Sequence, residues 1–441
     1  MRRVILFLTI YFISVKTHGQ VVWNLDSCVQ YATQNNTSIL QASLRIRAVR
    51  AQMQQSSARR VPSLSFDNNI GWQGGRSIDP TLNTYTNTNL VFQNLGLQSG
   101  ITLFNWFSIS NTILAEKKNV ESSVLDLEKL KNDISLNIAA AYLQVLLSNE
   151  KIEISKKQIQ LTSGQLETTQ LLFNQGRQTQ ANVLQLQAQL SRDSTIYFDS
   201  MLNDYQSNAN LLKLLGIGPE QQIKISREVP EKSILNIMEM QPETIYQIAL
   251  TNQPLQKENA VKLKEFEYRI KAAKAAQYPT LSANAGIGSN FANTFRDALG
   301  RPIPYGQQLF NNNFQQSFYL SLNVPIFYNK QLKTNYKLAQ SEYNNQQLTI
   351  VNNNLELKHK IYAAYKNVLN SWNRYQSMKN SLSQLQEAFE LEKISFNTGN
   401  TPLVSFLNLG NTLFQAQTDK ITSYYEYIFS MRILEHYQKI N

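Results

Sequence analysis

The sequence is poor in the residues that build metal centres, disulfides and salt-bridged surfaces. It has one cysteine, Cys28, and three histidines in 441 residues, which excludes an internal disulfide and argues against a cysteine or multi-histidine metal site. Charged residues make up 17% of the chain, against about 25% in an average globular protein. With 42% hydrophobic residues the chain can still bury a sizeable core, and much of its polarity comes from Asn, Gln, Ser and Thr.

Long hydrophobic runs are missing as well. No apolar stretch reaches 18 residues, which excludes a protein that crosses a membrane with helices. Residues 4–15 are apolar, follow Arg2 and Arg3, and have the length of the hydrophobic region of a secretory signal peptide. We therefore predict that residues 1–19 are a signal peptide. Its removal takes Arg2, Arg3 and Lys16 with it, so the formal net charge falls from +11 to +8.

Cys28 does not directly follow the apolar stretch, so attachment of a lipid to this residue is not expected. Asn24 has the residue type of a helix N-cap, and Asp26 would lie in the first turn. Free cysteine is among the most buried residue types. We predict that Cys28 is an ordinary buried position of this helix.

The two halves of the chain share a pattern of short matches at a nearly constant separation. The matches are residues 61–65 (VPSLS) with 278–282 (YPTLS) at an offset of 217, and, at an offset of 223, residues 140–142 (AAY) with 363–365 (AAY) and 173–176 (FNQG) with 396–399 (FNTG). The single step of six residues indicates one insertion between two otherwise equivalent copies. We predict two tandem structural repeats, residues 20–215 and 242–441, joined by a linker at 216–241.

Each repeat contains two stretches in which apolar and polar residues alternate, as in a β-strand. The apolar side of the first stretch carries Leu64, Phe66, Ile70 and Trp72. The opposite side carries Ser, Asn, Gln and Gly rather than Lys and Glu, and about 10 residues per strand suit a membrane crossing better than a soluble sandwich. Long loops are expected near residues 73–89 and 292–313. The residues predicted to face a lumen are Ser65, Asp67, Asn69, Gln98, Thr102, Ser282, Asn284, Ser321 and Asn323.

Each repeat also contains a very long helical hairpin. Residues 107–173 contain no proline, and a helix of this length extends on the order of 100 Å. Apolar residues recur every seven positions from Ile138 to Phe173 and from Ile361 to Phe396, which predicts a left-handed coiled coil. Each long helix ends at an Asn-x-Gly sequence, where glycine supplies the left-handed conformation that closes a helix. Return helices are predicted at residues 182–215 and 404–437.

Four strands in one chain cannot close a barrel, and an open edge in lipid would leave backbone groups unpaired. The chain must therefore oligomerise. Two copies would give eight strands, a barrel filled by its own side chains, and three copies would give twelve strands around a wider lumen. Long helices continuing from the strands would extend that lumen through the periplasm as a conduit.

The order of these features resembles that of the outer-membrane efflux, or TolC-like, family over essentially the whole mature chain. No single motif is specific for the family, but the order in which the motifs occur, once in each half of the chain, is specific. The residues that carry the resemblance are the start WNLDSC at 23–28 with Ala32 and Asn35-Asn36, the strand entries at 62–64 and 279–281, the strand exits at 103–104 and 325–327, and both Phe-Asn-x-Gly tips.

The resemblance implies a mixed α and β membrane protein in which four transmembrane strands per protomer form a trimeric 12-stranded barrel. A long periplasmic α-helical coiled-coil barrel would continue it. The family works as a passive duct in the outer membrane, without cofactor or catalysis. Its tip opens when a periplasmic adapter protein and an inner-membrane transporter dock. The tip residues implied for docking are Phe173, Asn174, Gly176, Phe396, Asn397 and Gly399.

One position departs from the family. In well-studied members, acidic residues six and nine positions after the second tip glycine ring the periplasmic aperture and favour cations. Here those positions are Ser405 and Asn408, and their counterparts in the first repeat are Asn182 and Gln185. We predict an aperture closed by amide and hydroxyl hydrogen bonds, each worth about 0.5–1.5 kcal/mol, with a weaker cation preference. The alternative is that these four are ordinary helix-end residues and the constriction lies elsewhere.

Three other functions compete with the duct. A periplasmic coiled-coil adapter of the same type of system is the main alternative, but it would have one hairpin where this chain has two. An exported enzyme lacks support, because no catalytic triad order, phosphate-binding loop or dinucleotide motif is present. Nucleic-acid binding is not expected, because the basic residues occur only as short pairs and the protein is exported.

Overall fold

The computed structural model describes residues 22–78, 83–221, 223–227 and 241–438. The predicted signal peptide lies outside the described residues. The chain forms two compact units. The first combines Met1–Gln41, Lys129–Asn252 and Glu356–Asn441, and the second combines Ala42–Glu128 and Gln253–Leu355. Each unit therefore takes segments from both halves of the sequence.

The helices occur as two sets of equal lengths. Each half of the chain has helices of 11, 22, 67 and 36 residues, in that order. Two tandem structural repeats are confirmed by this match. In chain order the elements are β1 (Val22–Trp23), α1 (Leu25–Asn35), α2 (Thr37–Ala58), β2 (Ser63–Ile78), β3 (Tyr85–Phe104), α3 (Ser108–Asn174), α4 (Gln180–Leu215), β4 (Lys224–Ile225), α5 (Pro242–Asn252), α6 (Pro254–Ala275), β5 (Thr280–Ala292), β6 (Gln315–Asn323), α7 (Gln331–Asn397) and α8 (Leu403–Gln438).

The first long helix and both return helices begin and end within two residues of the predicted positions, and the second long helix ends at the predicted Asn-x-Gly. Among the described residues, every helix is too short or too polar to cross a bilayer. The first helix starts as predicted, because the Asn24 side chain accepts a hydrogen bond of 2.8 Å from the Ser27 N–H.

The second unit contains an antiparallel sheet with the strand order β2-β3-β5-β6. The loop predicted near residues 73–89 is wrong, because Gln73 pairs with Leu90 and the ladder continues to Ile78 opposite Tyr85. Both faces of this stretch are rich in polar residues and glycine. The alternation of apolar and polar side chains is therefore lost, although the backbone pairing continues. The loop predicted near residues 292–313 is confirmed, since β5 ends at Ala292 and β6 begins at Gln315.

The core of the first unit is itself duplicated. Cys28 and Ala32 of α1 are fully buried, and Ile245 and Ala249, which follow them by 217 residues, are fully buried in α5. The same holds at an offset of 223, where the buried pairs are Ile138 with Ile361, Val145 with Val368, and Leu211 with Leu434. The prediction for Cys28 is confirmed. Burial raises the pKa of its thiol to about 11, so the thiol is protonated and unreactive at neutral pH.

A small parallel sheet formed by β1 and β4 was not predicted. Val22 pairs with Lys224 and Trp23 with Ile225, so the predicted linker packs against the start of the first repeat. The Tyr142 hydroxyl donates a 2.7 Å hydrogen bond to the Ser226 carbonyl beside this sheet. Two residues per strand are too few for a pattern of alternation to be visible in the sequence.

The turns that lead from strand to long helix are the same in both repeats, and both use the left-handed backbone region. Trp106 and Phe107 have φ values of 53° and 62°, and Asn329 and Lys330, their equivalents at an offset of 223, have 46° and 62°. Left-handed geometry costs a residue other than glycine roughly 1–2 kcal/mol. Because the same turn occurs in both repeats, we infer that the chain needs it to pass from the strand into the long helix.

Lys330→Gly should stabilise the protein. Glycine adopts the left-handed conformation without the clash at Cβ, and this gain is partly offset by its greater backbone entropy when unfolded, so we expect about 0.5–1 kcal/mol. Chemical denaturation followed by circular dichroism measures the change. Lys337→Gly, in the exposed interior of α7, is the matched control and should destabilise by about 1 kcal/mol. Equal effects of the two substitutions would contradict strain at Lys330.

Candidate channel-lining and docking surfaces

The four-stranded sheet has one polar and one apolar face, set by the pairing register. Ser65 lies opposite Gln98, and Thr102 lies opposite Ser282, which in turn lies opposite Ser321. Because paired residues point to the same side of a sheet, all nine residues predicted to face a lumen share one face. A cavity of about 540 Å³ lies over this face, lined by Ser65, Asp67, Asn69, Gln98 and Asn284 among others.

The other face of the sheet is apolar and exposed in the single chain. Phe66, Phe318 and Leu322 are 66%, 73% and 66% exposed. Apolar side chains in a continuous exposed patch mark a surface that meets a membrane or a partner. The sheet thus has the two-faced construction that separates lipid from water.

Asp67 is the only charged residue on the polar face of the four described strands, where most other residues are amides, hydroxyls and glycines and a few are apolar or aromatic, such as Leu90 and Phe92. It pairs with Gly96, which in turn pairs with Gly288. A glycine therefore lies level with Asp67 on β3 and another on β5. Asp67 is the one charge that the described strands place on this face.

The hairpin tips close in the same way in both repeats. Gly176 and Gly399 have φ values of 72° and 81°, in the left-handed region. The N–H of Gly176 donates to the Phe173 carbonyl, and the N–H of Gly399 donates to the Phe396 carbonyl, at 2.9 and 3.0 Å. The following residue in each copy donates back to the carbonyl five positions earlier, which completes a Schellman motif.

The predicted docking residues at the tips differ in accessibility. Asn174, Gly176, Asn397 and Gly399 are exposed, whereas Phe173 is half-buried and the Phe396 side chain is buried. The Phe396 ring stacks on Phe406 with 4.9 Å between ring centroids. Phe396 therefore supports the tip from inside, and the exposed residues form its surface. The buried residues of this tip cluster are Leu186, Phe389, Phe396, Leu403, Phe406 and Leu413.

The four predicted aperture residues lie in the first two turns of the return helices. Gln185, Ser405 and Asn408 are exposed, and Asn182 is partly buried. The Asn182 N–H is capped by the Thr179 side chain, and its amide donates to Gln178. The side chains of Gln185, Ser405 and Asn408 therefore lie at the surface, where they can contact another molecule.

A buried polar seam between α3 and α4 was missed. The Asp193 carboxylate is 3% exposed and accepts hydrogen bonds from the Thr162 hydroxyl at 2.6 Å and the Gln189 amide at 2.7 Å. Gln189 also donates to Asn411 of α8 at 3.0 Å, which links the two hairpins. A signal was present in the sequence. The buried hydroxyl residues recur every seven positions, at Ser148, Ser155, Thr162 and Thr169.

A sequence profile of the outer membrane efflux protein family matches residues 28–217 and again residues 245–430. The chain belongs to this family. It is a protein of the outer membrane that acts in efflux, and the adapter alternative is not favoured, because each half of the chain matches the channel family separately. No protein of curated function matches the chain significantly in sequence.

Solved structures of outer-membrane channels have the same fold. The channel OprN superposes with a TM-score of 0.80 at 16% identity, covering 94% of this chain and 89% of that chain. VceC from Vibrio cholerae gives 0.79 at 14% identity, with 94% and 96% covered. CmeC from Campylobacter jejuni gives 0.79 at 16% identity, with 95% and 87% covered. At these identities the likeness is one of fold.

Phe406→Ala should loosen the second hairpin tip. Removing a buried aromatic side chain costs about 3–5 kcal/mol, and here it also removes the ring that stacks on Phe396. We expect faster amide hydrogen exchange at the tip. Leu391→Ala, at a 64% exposed position of α7 near the same tip, is the control and should leave exchange unchanged. Unchanged exchange in Phe406→Ala would show that this cluster does not hold the tip.

Proposed function

We propose that three copies of this chain form a passive duct through the outer membrane. The observation that carries the proposal is the two-faced sheet. Its outer strands β2 and β6 each have one partner among the described strands, so each has a free edge. In lipid an unpaired backbone group costs several kcal/mol, and joining β2 of one copy to β6 of the next removes both edges. Three copies supply twelve strands.

The long helices form the periplasmic part of the duct, and the two hairpin tips of each copy meet a periplasmic adapter protein. The exposed tip residues Asn174, Gly176, Asn397 and Gly399 are the surface for that contact. A passive duct supplies no energy for export, so the energy comes from an inner-membrane transporter. The mature chain runs from about residue 20, with repeats at 20–215 and 242–441 and a linker at 216–241.

The assembly can be tested directly. Purified from outer-membrane fractions, the protein should have three times the mass of the processed chain, migrate differently on gels before and after heating, and conduct ions across a planar bilayer. A monomer without conductance would overturn the proposal. An inner-membrane location together with one bound pump would favour the adapter instead.

Asp67→Asn should reduce the cation preference of the duct. A trimer places three Asp67 carboxylates around a face on which the described strands carry no other charge, and their field is screened over about 10 Å at 0.1 M salt. We expect the reversal potential in a KCl gradient to move toward zero, most clearly at low salt. Glu220→Gln, an exposed charge removal outside the sheet, is the control. Equal effects of both variants would place Asp67 away from the ion path.

The uncharged aperture residues allow the opposite experiment, in which a carboxylate is introduced instead of removed. Ser405→Asp or Asn408→Asp restores an acid at the exposed start of α8, and we expect cation permeability relative to anions to rise about fivefold, which corresponds to about 1 kcal/mol. Single-channel selectivity measures it. Asn344→Asp, an exposed position of α7 away from the tips, is the control. No change in either tip variant would remove these residues from the aperture.

A further inference from the structure

The segment between β5 and β6, residues 293–314, is folded in a defined way, and we name it the rim segment. It first makes a tight turn, in which the Asp297 carboxylate accepts hydrogen bonds from the backbone N–H groups of Leu299 and Arg301 at 2.9 and 2.8 Å. The Arg301 guanidinium donates to the same carboxylate at 2.8 Å. A helical turn at Tyr305–Gln307 and a π-helical turn at Gln308–Asn312 follow.

A buried glutamine clamps the rim segment to the end of β5. Gln308 is 1% exposed, and its side-chain oxygen accepts a 3.0 Å hydrogen bond from the Ala292 N–H. Its amide group donates to the carbonyls of Ala292 at 3.2 Å and Ile303 at 2.7 Å. A buried amide with these partners has a fixed orientation. The backbone around Phe310, two residues further on, is fixed with it.

The rim segment lies over the apolar face of the sheet. The Tyr305 hydroxyl donates to the Gln93 side chain at 2.6 Å, and its ring contacts Phe291 with 4.9 Å between centroids. The Ser289 hydroxyl donates to the Leu309 carbonyl at 2.7 Å. Gln93 pairs with Phe291, and Leu95 pairs with Ser289. All four residues lie on the same face of the sheet as its apolar residues. The segment is therefore continuous with the apolar face.

Two large apolar side chains project from this clamped segment into solvent. Phe310 is 77% exposed and Leu299 is 76% exposed. Transfer of such a side chain from water to an apolar environment is favourable. Arg296 and Arg301 flank the Leu299 turn, and Arg301 forms an ion pair with Asp297. Apolar tips beside guanidinium groups are typical of the boundary between lipid headgroups and acyl chains.

We propose that the rim segment is an interfacial membrane anchor, which inserts Phe310 and Leu299 into the headgroup boundary of the lipid leaflet next to this end of the sheet. The occupant of the surface is lipid, because the segment continues the apolar face that the duct presents to the bilayer. This inference rests on the proposed function in that one respect. The clamp at Gln308 fixes the depth at which the end of the sheet sits.

Depth-dependent fluorescence quenching tests the anchor. The variants Phe310→Cys and Leu299→Cys are labelled with a small environment-sensitive fluorophore and reconstituted as the full assembly into phosphatidylcholine vesicles with or without brominated acyl chains. Cys28 can stay in place, because its buried and protonated thiol does not react. Phe318→Cys, on the apolar face of β6, reports insertion of the sheet, and Ser65→Cys on the polar face is the control for water.

We expect at least a twofold loss of fluorescence at Phe310→Cys and Leu299→Cys with bromines near the headgroups, and less with bromines deep in the chains. Phe318→Cys should be quenched and Ser65→Cys should not. Quenching at Phe318→Cys without quenching at either rim site overturns the anchor and leaves the duct intact. A blue-shifted but unquenched rim site means that protein, such as a second copy, covers it, which also overturns the anchor. Absence of quenching at Phe318→Cys as well overturns the proposed function itself.

Discussion

An antiparallel sheet with two free edges and two unlike faces is the constraint on which the other features depend. Strand β6 has nine residues and strand β2 has sixteen, and the outward backbone groups of both have no partner in the described sheet. Water can satisfy such groups, but lipid cannot. A protein of the outer membrane with this sheet must therefore close it with further strands, and identical copies are the simplest source.

Duplication explains how one chain supplies both the strands and the helices for such an assembly. The buried pairs Cys28 with Ile245 and Ile138 with Ile361 occupy equivalent places in two copies of one core. Each copy of the pattern also repeats the strained strand-to-helix turn and the glycine at the hairpin tip. The sequences have diverged around these points, because only the buried faces and the special backbone positions restrict the residue type.

Much of this organisation could be predicted from the sequence, for a physical reason. Heptad spacing, strand alternation and the Asn-x-Gly ends are local patterns, so the bounds of the first long helix and of both return helices were predicted within two residues. The parallel pairing of Val22 with Lys224, the clamp made by Gln308 and the carboxylate of Asp193 depend on contacts between distant residues. The prediction of a loop near residues 73–89 was wrong because apolar and polar residues alternate only where one face of a strand lies in an apolar environment. Strands β2 and β3 continue to pair beyond the part of the sheet that has this alternation.

The low charge of the chain follows from the same constraint. A strand that separates lipid from a water-filled lumen needs an apolar residue at every second position, and the remaining positions must be polar without repelling one another when copies surround a narrow space. Amides, hydroxyls and glycine meet both conditions, and they make up most of the polar face, on which Asp67 is the only charged residue of the described strands. A single charge per copy has more influence there than on a surface rich in Lys and Glu, because the described strands place no counter-charge on that face to offset its field.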